Sequence, residues 1–372
     1  MRVRLIPRRL LASVIVLPLL LLLALPAAAL AQSNAGSQGF YQQTNLVSDI
    51  AGVAKFTDSN LVNPWGLVHA PQSPWWVADN GTGVSTLYNG HGVKVPLTVT
   101  IPPPGGSPAG TTAAPTGTIF NGTSGFVVSE NGKSGSALFI FATEDGTISG
   151  WNPNVDPTNA VLAVDRSTVG AGAVYKGLAI GSNANGTFLF ATNFRFGTVE
   201  KFNSNFKLVK SFTDPNVPNG YAPFGIQSNG GNLLYVTFAL QNAQKHDDVA
   251  GPGNGFVNVF DTNGHLLRRF ASRGALNSPW GVTRASFAFG RFSGDILVGN
   301  FGDGEISAFD SDGHFLGTLK DSENHPIVID GLWTLTLGGG RTSSSDTLYF
   351  TAGPNGETNG LFGTITPVPT HD

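Results

Sequence analysis

The sequence has no cysteine among its 372 residues, and charged residues make up only 12% of it. The absence of cysteine excludes disulfides, thiolate catalysis and thiolate metal sites. The sequence also lacks a Gly-x-Ser-x-Gly elbow and a His-Glu-x-x-His motif, so it does not match the common serine hydrolases or zinc proteases. The glycine-rich run at 251–255 is followed by no Lys-Ser pair, which excludes a phosphate-binding loop there.

Long apolar runs are also missing, with one exception near the N-terminus. Four arginines precede an apolar run at 10–25, and Ala29-Leu30-Ala31 offers a small-x-small cleavage site. This pattern predicts a signal peptide at 1–31 and therefore a secreted or periplasmic protein. A single membrane anchor is the alternative interpretation of the same run.

Basic charge is scarce in the remainder of the chain. Removal of residues 1–31 takes away four arginines and no acid, which leaves 17 basic against 24 acidic residues and a formal charge of −7. Because nucleic-acid binding needs clustered basic residues, this balance argues against nucleic acid as a partner. It argues equally against binding to anionic membrane surfaces. We expect the mature protein to be a monomer.

Glycine is abundant, with 49 residues, and six of these glycines recur at regular intervals. The repeated step is a glycine that begins a short apolar segment, at Gly66, Gly117, Gly177, Gly225, Gly281 and Gly331. Their separations are 51, 60, 48, 56 and 50 residues. A period of this size in a chain of short strands predicts an all-β propeller of six four-stranded blades. A seventh blade would need a seventh step, and the sequence does not contain one.

The predicted blades explain how the two ends of the chain meet. Five repeats contain a fourth strand, predicted at Lys94–Thr100, Val161–Asp165, Phe206–Phe212, His265–Phe270 and His314–Leu319. The sixth repeat has none, whereas Tyr41–Ser48 is a strand-like segment without a blade of its own. We therefore predict that the N-terminal strand completes the last blade and closes the ring, which removes exposed sheet edges. The domain boundaries are then a signal peptide at 1–31, a short linker at 32–39, the propeller at 40–366 and a C-terminal tail at 367–372.

Several motifs resemble known propellers. The stretch from Pro279 to Leu316, with Pro-Trp-Gly-Val at 279–282 and Asp-Ser-Asp-Gly-His at 310–314, looks like one NHL-type blade. The whole chain resembles a family of secreted bacterial six-bladed propellers, on the basis of the motifs at 141–151 and 245–249. That resemblance implies a fold but no activity. A broader resemblance runs to calcium-dependent lactonase and phosphotriesterase propellers, and it implies no residue-by-residue metal site here.

The ends of the second strands supply the first group of candidate site residues. In a propeller, the loops between strands two and three converge at one face around the central channel. Carboxylate and amide oxygens that converge there are suitable ligands for Ca²⁺ or another divalent cation. The candidate metal ligands are Glu144, Asn80, Asn193 and Asn300, and the candidate ligand-binding residues are Asp79, Asp145 and Asp303. The alternative is ordinary turn chemistry, because Asn and Asp are also the residues that tight turns favour.

A long insertion in the fourth repeat supplies the second group. The segment 241–255 lies between strands two and three, so we expect it to rise over the channel mouth. It contains Lys245 and Asp248 as candidate ligand-binding residues and His246 and Asp247 as candidates for proton transfer. The alternative is a solvated loop. Trp65 and Trp280, which precede equivalent glycines, are expected to pack between blades.

Three functions remain open at this point, of which the third, a cell-surface adhesion or scaffold domain, is the least favoured. The leading hypothesis is a binding or interaction module whose channel face captures a small ligand or an envelope partner, because no complete catalytic set is present. The alternative is a divalent-metal-dependent hydrolase of the lactonase or esterase type, in which Glu144, Asn80, Asn193 and Asn300 hold the metal.

Overall fold

The computed structural model describes residues 39–229, 232–339 and 342–369, so the predicted signal peptide lies outside the described residues. The chain begins with β1 (Tyr41–Ser48) and β2 (Phe56–Thr57). Blade one contains β3 (Pro64–His69), β4 (Trp75–Asp79), β5 (Val84–Tyr88) and β6 (Lys94–Thr100). Blade two contains β7 (Pro115–Phe120), β10 (Phe139–Thr143), β11 (Thr147–Trp151) and β12 (Val161–Asp165), with a hairpin of β8 (Val127–Glu130) and β9 (Lys133–Ser136) inserted after β7.

The remaining blades follow the same order. Blade three contains β13 (Tyr175–Asn183), β14 (Gly186–Asn193), β15 (Thr198–Asn203) and β16 (Leu208–Phe212). Blade four contains β17 (Tyr221–Ser228), β18 (Leu233–Leu240), β19 (Phe256–Asp261) and β20 (Leu266–Ser272). Blade five contains β21 (Pro279–Arg284), a 3₁₀ turn (Gly290–Phe292), β22 (Ile296–Asn300), β23 (Ile306–Phe309) and β24 (Phe315–Thr318). Blade six contains β25 (Leu332–Leu337), β26 (Leu348–Ala352) and β27 (Leu361–Pro367).

The six blades form a closed ring, which confirms the predicted propeller. The first strand of each blade contacts the first strands of its two neighbours, and β25 contacts β3 to complete the circle. Within the described residues, six buried apolar clusters lie between successive blades, and a seventh lies on the axis. Burial of these sheet faces is the main stabilising contribution, because each blade has two apolar faces and no core of its own.

The N-terminal strand closes the last blade, as predicted. β1 pairs antiparallel with β27, from Tyr41 opposite Pro367 to Ser48 opposite Leu361. The Tyr41 hydroxyl donates a hydrogen bond of 3.0 Å to the carbonyl of Phe289 in blade five. One feature was not predicted: β2 pairs parallel with β1, so the closing sheet has five strands rather than four.

The boundaries of the fourth strands show where turn chemistry overrides the strand pattern. In blades one and two these strands match the prediction, whereas in blades three to five they begin one or two residues later. In blade four the reason is that Asp261 Oδ1 accepts the backbone N–H groups of Asn263 and His265 at 2.9 and 2.8 Å. His265 therefore belongs to the turn.

The glycine step allows the inner strands to approach one another closely. A Cβ on Gly225 would lie 2.0 Å from the carbonyl oxygen of Trp280, so only glycine fits there. The prediction for the sixth step was wrong. The space beside Gly281 is bounded by Trp333 and Leu335, so Thr334 rather than Gly331 takes the equivalent position.

Thr334 can occupy this position because its side-chain hydroxyl forms a hydrogen bond with the neighbouring inner strand. Its Oγ1 donates to the carbonyl of Trp65 at 2.6 Å, which joins the last blade to the first. Gly331 has a different role: its φ is +67°, a conformation that L side chains rarely adopt.

We call the residue before each of these positions the axial position of its blade. These six residues are Trp65, Thr116, Lys176, Phe224, Trp280 and Trp333. The four aromatic ones pack together on the propeller axis, and the ammonium of Lys176 lies over the ring of Trp65. The rings of Trp65 and Trp333 stack with centroids 3.5 Å apart, and Trp280 packs edge-on to Trp65 at 6.0 Å. Trp65 and Trp280 therefore pack across the axis, and the expectation that they pack between blades was wrong. We refer to Trp65, Phe194, Phe224, Trp280 and Trp333 as the axial plug.

In the described part of the chain, no helix combines the length and the apolar character needed to cross a bilayer.

Candidate functional site at the channel mouth

The loops between strands two and three of all six blades meet at one end of the channel, which we call the mouth. Each loop contributes a residue to the mouth or to the plug beneath it. These residues are Asn80, Glu144, Phe194, Asp247, Phe301 and Glu357, in blade order. Phe194 belongs to the axial plug and Phe301 packs against it, whereas the other four present polar groups above it.

Strand alternation decides which residue of the turn faces the mouth in blades one, two, three and five. There the last residue of strand two points into its own blade, and the next residue points toward the axis. In blade one, Asp79 accepts hydrogen bonds from the backbone N–H and hydroxyl of Thr86, while Asn80 donates to Glu144. In blade three, Asn193 donates to Glu200, while the ring of Phe194 packs 5.3 Å from that of Phe224 on the axis.

Lys176 lies at the centre of the mouth. It is the only charged residue among the six axial positions in the described structure, and its side chain is 2% exposed. Its ammonium forms a short contact with Glu144 Oε1 and lies 3.3 Å from Asp247 Oδ1. The same ammonium lies 5.1 Å from the centre of the Trp65 ring. Burial lowers the pKa of Lys176, but the charges of Glu144 and Asp247 outweigh this effect and raise the pKa above its usual value. The ammonium is therefore charged at neutral pH.

A chain of hydrogen bonds connects the plug to this ammonium. Trp333 Nε1 donates to Asn63 Oδ1 at 2.9 Å, and Asn63 Nδ2 donates to Asn80 Oδ1 at 3.2 Å and to Glu357 Oε2 at 2.8 Å. Asn80 Nδ2 in turn donates to Glu144 Oε2 at 2.8 Å. Both oxygens of Glu144 are thus engaged, which fixes the carboxylate between blades one and three.

The insertion 241–255 brings a histidine and an aspartate to the same point. Asn242 shapes this loop: its N–H donates to the Asp247 carbonyl at 2.8 Å, and its Oδ1 accepts the His246 N–H at 3.0 Å. His246 Nδ1 lies 2.7 Å from Asp247 Oδ1, so Asp247 contacts both His246 and Lys176. Hydrogen bonding from His246 and the Lys176 charge hold the pKa of Asp247 well below its usual range. Lys245 is exposed, with a φ of +54°, and makes no side-chain contact with this group.

Further carboxylates surround this centre. Burial raises the pKa of Asp248 and of Glu357, and in both cases the charge of a neighbouring acid adds to the effect. Burial also raises the pKa of Asp145, whose Oδ2 accepts the N–H of Ala114 at 2.8 Å. The mouth therefore has five carboxylates around one buried ammonium, and three of them are destabilised in the ionised form.

Three other predicted site residues are used within their own blades. Asn193 Oδ1 accepts the backbone N–H groups of Val174 and Phe196, and Asn300 is bonded to the backbone of Asn277 and Ala275. Asp303 Oδ1 accepts the N–H of Glu305 at 3.1 Å. These contacts are turn chemistry, and the structure does not bring these residues to Glu144.

Three of the remaining candidates form a group with the donor types of a metal site. Glu144, His246 and Asp247 each present one ligand atom, and the three atoms lie within 4.8 Å of one another. Carboxylate and imidazole donors at this spacing suit a divalent cation. However, the ammonium of Lys176 already contacts one oxygen of each carboxylate. A metal ion could use the outer atoms of this group, whereas the axial point is filled by the protein itself.

Three residues of the mouth were missed by sequence reasoning. Lys176 precedes Gly177 just as Trp65 and Phe224 precede their glycines, so an alignment of the repeats would have shown a charge at an otherwise apolar or small position. Asn63 and Glu357 have no comparable signal. Both adopt positive φ, at +45° and +66°, but Ser278 has the same φ at the position equivalent to Asn63, so the backbone there does not mark a site residue.

The sequence comparison finds relatives in a giant virus. The chain is 32% identical over 327 residues to "Uncharacterized protein R648" of Acanthamoeba polyphaga mimivirus, which covers 86% of this chain and 78% of that protein. It is 33% identical over 328 residues to "Uncharacterized protein L690" of the same virus, covering 86% and 84% respectively. No protein-family model matches the chain. The expected likeness to secreted bacterial propellers stays a prediction.

The structural comparison finds enzymes with the same fold. Virginiamycin B lyase from Staphylococcus aureus matches with a TM-score of 0.52 at 14% identity, over 89% of this chain and 100% of that one. A gluconolactonase from Xanthomonas campestris matches with a TM-score of 0.51 at 15% identity, over 83% of this chain and 87% of that one. At these identities the likeness shows the propeller fold alone.

Proposed function

Since the chain belongs to the family of the mimivirus proteins R648 and L690, whose names state no activity, we propose its function from its own site: the mouth binds a small, positively charged ligand. The ligand is a divalent metal ion or an organic amine. The broader hypothesis of a binding propeller is thereby restricted to one face, the mouth, and to positively charged ligands.

The electrostatics of the mouth support a cationic ligand. Five carboxylates surround one ammonium, and that ammonium is buried beneath two of them. Asp145, Asp248 and Glu357 have raised pKa values because burial and neighbouring acids disfavour their charged forms. A bound cation would relieve this repulsion, whereas an anion would increase it.

One observation carries the proposal: donor atoms of Glu144, His246 and Asp247 lie within 4.8 Å of one another, and the loop residues are open to solvent. The side chains of His246 and Asp247 are 38% and 59% exposed, while Glu144 lies beneath them at 13%. A ligand can therefore reach Asp247 and His246 directly from the mouth.

The test is calorimetric titration of protein that has first been stripped of metal with a chelator. The probes are CaCl₂, MgCl₂, MnCl₂ and ZnCl₂ for metal ions, 1,4-diaminobutane for amines, and glycerol as a neutral control. We expect saturable binding of at least one cation, weakened at least tenfold in Asp247→Asn, because that variant removes the exposed negative charge.

The matched control is Glu130→Gln, which also removes one negative charge. Glu130 lies in the hairpin of β8 and β9, between the first and second strands of blade two and away from the mouth. This variant should bind as the wild type does. If no cation binds, or if both variants lose binding equally, the proposal is wrong.

A second candidate function is metal-dependent hydrolysis of an ester or lactone. The donor group of Glu144, His246 and Asp247 favours it, since His246 could act in proton transfer beside a bound metal. The lactonase among the structures of similar fold agrees with this reading but does not establish it. Turnover of p-nitrophenyl acetate or a γ-lactone that needs an added metal and His246 would support it. Metal binding without turnover would leave the binding function alone.

Export completes the proposal. The pattern at 1–31 predicts a signal peptide, and a ligand or envelope partner would then be met outside the cytoplasm. Expression of the full chain in a bacterial host, followed by fractionation and N-terminal sequencing, tests this. A mature N-terminus at Gln32 is expected, and retention of Met1 in the cytoplasmic fraction would contradict it.

A further inference from the structure

We propose that Lys176 is a built-in cation that determines the selectivity of the mouth: its ammonium occupies the axial position, excludes metal ions from it and confines the ligand to the outer carboxylates. This inference rests on the proposed function in taking the mouth as a cation site. It adds that only the outer carboxylates are available to a ligand, and that Lys176 is the residue that imposes this limit.

The first argument is the position of Lys176 in the repeat. The five equivalent residues are Trp65, Thr116, Phe224, Trp280 and Trp333, which are neutral. Four of them fill the axis with aromatic rings. A lysine fills the same space with its methylene chain and adds one charge at its end. Packing alone does not require that charge.

The second argument is the set of groups that face the ammonium. Its ligands are an oxygen of Glu144 from blade two and Oδ1 of Asp247 from blade four, and the faces of Trp65 and Phe194 lie 5.1 and 6.0 Å from it. Carboxylates and aromatic faces are the groups that proteins use to bind cations from solution. The fold has therefore assembled a cation site from four blades and has supplied the cation from its own chain.

The third argument concerns exchange. A metal ion on the axis would lie within a few ångströms of an ammonium that cannot leave, because Lys176 is 2% exposed and its backbone carbonyl accepts Trp280 Nε1 at 2.9 Å. Two positive charges at that distance repel each other strongly in a buried site. A ligand from solution must therefore use atoms on the solvent side, such as those of His246 and Asp247.

The test compares Mn²⁺ binding by wild type and by Lys176→Met, which keeps an unbranched side chain only one atom shorter but removes the charge. Free Mn²⁺ is counted by electron paramagnetic resonance, and thermal unfolding is followed with and without Mn²⁺. We expect Lys176→Met to bind one Mn²⁺ at least tenfold more tightly than wild type, with a larger increase in melting temperature. The gain should disappear in Lys176→Met/Glu144→Gln, because an axial ligand is lost.

Two further variants keep the test decisive. Lys133→Met, in the hairpin of β8 and β9, controls for the loss of a positive charge elsewhere and should bind as wild type does. If Lys176→Met does not fold, Lys176→Gln takes its place, since its side chain is neutral but still polar.

Equal Mn²⁺ affinity in wild type and in the folded Lys176 variant would overturn the inference. So would a gain that survives Glu144→Gln. The outcome is separate from that of the proposed function, because binding of 1,4-diaminobutane by the wild type tests the outer carboxylates without any change at Lys176.

Discussion

Two of the buried groups of cation and carboxylate in the propeller are built in opposite ways. In blade three the buried member is the anion: Glu200 is 2% exposed and is approached by Arg166, Tyr175 and Asn193. At the mouth the buried member is the cation, Lys176, and its carboxylates lie toward solvent. Both groups join strands from the interior of the ring, yet only the second has charged atoms that a ligand could reach.

The two groups differ in how many of the carboxylate oxygens' hydrogen-bond and charged contacts are already made within the protein. Glu200 receives the Tyr175 hydroxyl at 2.7 Å, Asn193 Nδ2 at 3.0 Å and the Arg166 guanidinium at 3.1 and 3.3 Å, so it is closed to further partners. Asp247 is 59% exposed and holds Lys176 through one oxygen only. A closed group stabilises the fold, whereas an open one can stabilise the fold and also bind.

The largest expected effect is the loss of the closed group. Glu200→Gln should lower the free energy of unfolding by about 3–5 kcal/mol, because it leaves the Arg166 charge without its partner in a buried site. Urea unfolding followed by circular dichroism measures this. Mn²⁺ should not restore the loss. A loss below about 1 kcal/mol would mean that the two groups do not differ as described.

Loss of the cation in the open group should have a smaller effect. Lys176→Met in metal-free protein should lose about 3 kcal/mol or less, because Asp247 is exposed to water and Glu144 keeps its hydrogen bond from Asn80 once the ammonium is gone. Added Mn²⁺ should recover part of this loss by binding the folded state alone. The measurement is the urea midpoint with and without Mn²⁺, and the comparison fails if Glu200→Gln is rescued to the same extent.

A matched pair of amide deletions sharpens the comparison. Asn193 and Asn80 each donate one hydrogen bond to a carboxylate, at 3.0 and 2.8 Å, but Asn193 is fully buried and Asn80 is near the mouth. Asn193→Ala should cost about 1–3 kcal/mol, because a buried acceptor loses its donor. Asn80→Ala should cost about 1 kcal/mol or less, because water can replace the amide. Equal losses in thermal unfolding would contradict the distinction between closed and open groups.

The smallest expected effect is on pH dependence. The pKa values of Asp145, Asp248 and Glu357 are raised, so the folded protein holds protons on these groups at a pH where the unfolded chain has lost them. A cation at the mouth favours the ionised forms and should release protons on binding at mildly acidic pH. Its affinity should therefore fall as the pH decreases toward about 4, the ordinary carboxyl pKa. Calorimetry in buffers of different ionisation enthalpy detects the release, and an affinity that is constant from pH 7 to 5 would exclude these groups.

The sequence predicted the fold well because the constraint repeats. A glycine that must let two inner strands meet occurs five times, and only the sixth position differs, where the hydroxyl of Thr334 satisfies the neighbouring carbonyl. Gly331 lies three residues before Thr334, so the predicted sixth step was in the right segment but in the wrong register. No periodicity could reveal that substitution, since it depends on a hydrogen bond to Trp65 across the ring closure.

The candidate site was harder to predict, because one residue of register separates the interior of a blade from the channel. Asn80 and Glu144 have the register that faces the mouth, whereas Asn193 and Asn300 stand one residue earlier and point into their blades. Asn occurs at both positions, because its amide can bond to the backbone of a turn inside the blade or to a side chain at the mouth. Lys176 was the informative residue, and its signal was visible only after the repeats were aligned on the axis.

The pairing of β1 with β27 has a consequence for how the chain can fold. The strand that begins the described domain must wait for a partner more than 300 residues later, so the ring cannot close until nearly the whole chain is available. Contacts of such long sequence separation slow folding. Until closure, blade six exposes an unpaired strand edge, which is a site for association with other chains. A circular permutant that fuses the two termini and opens an exposed loop elsewhere would turn this slowest contact into a local hairpin.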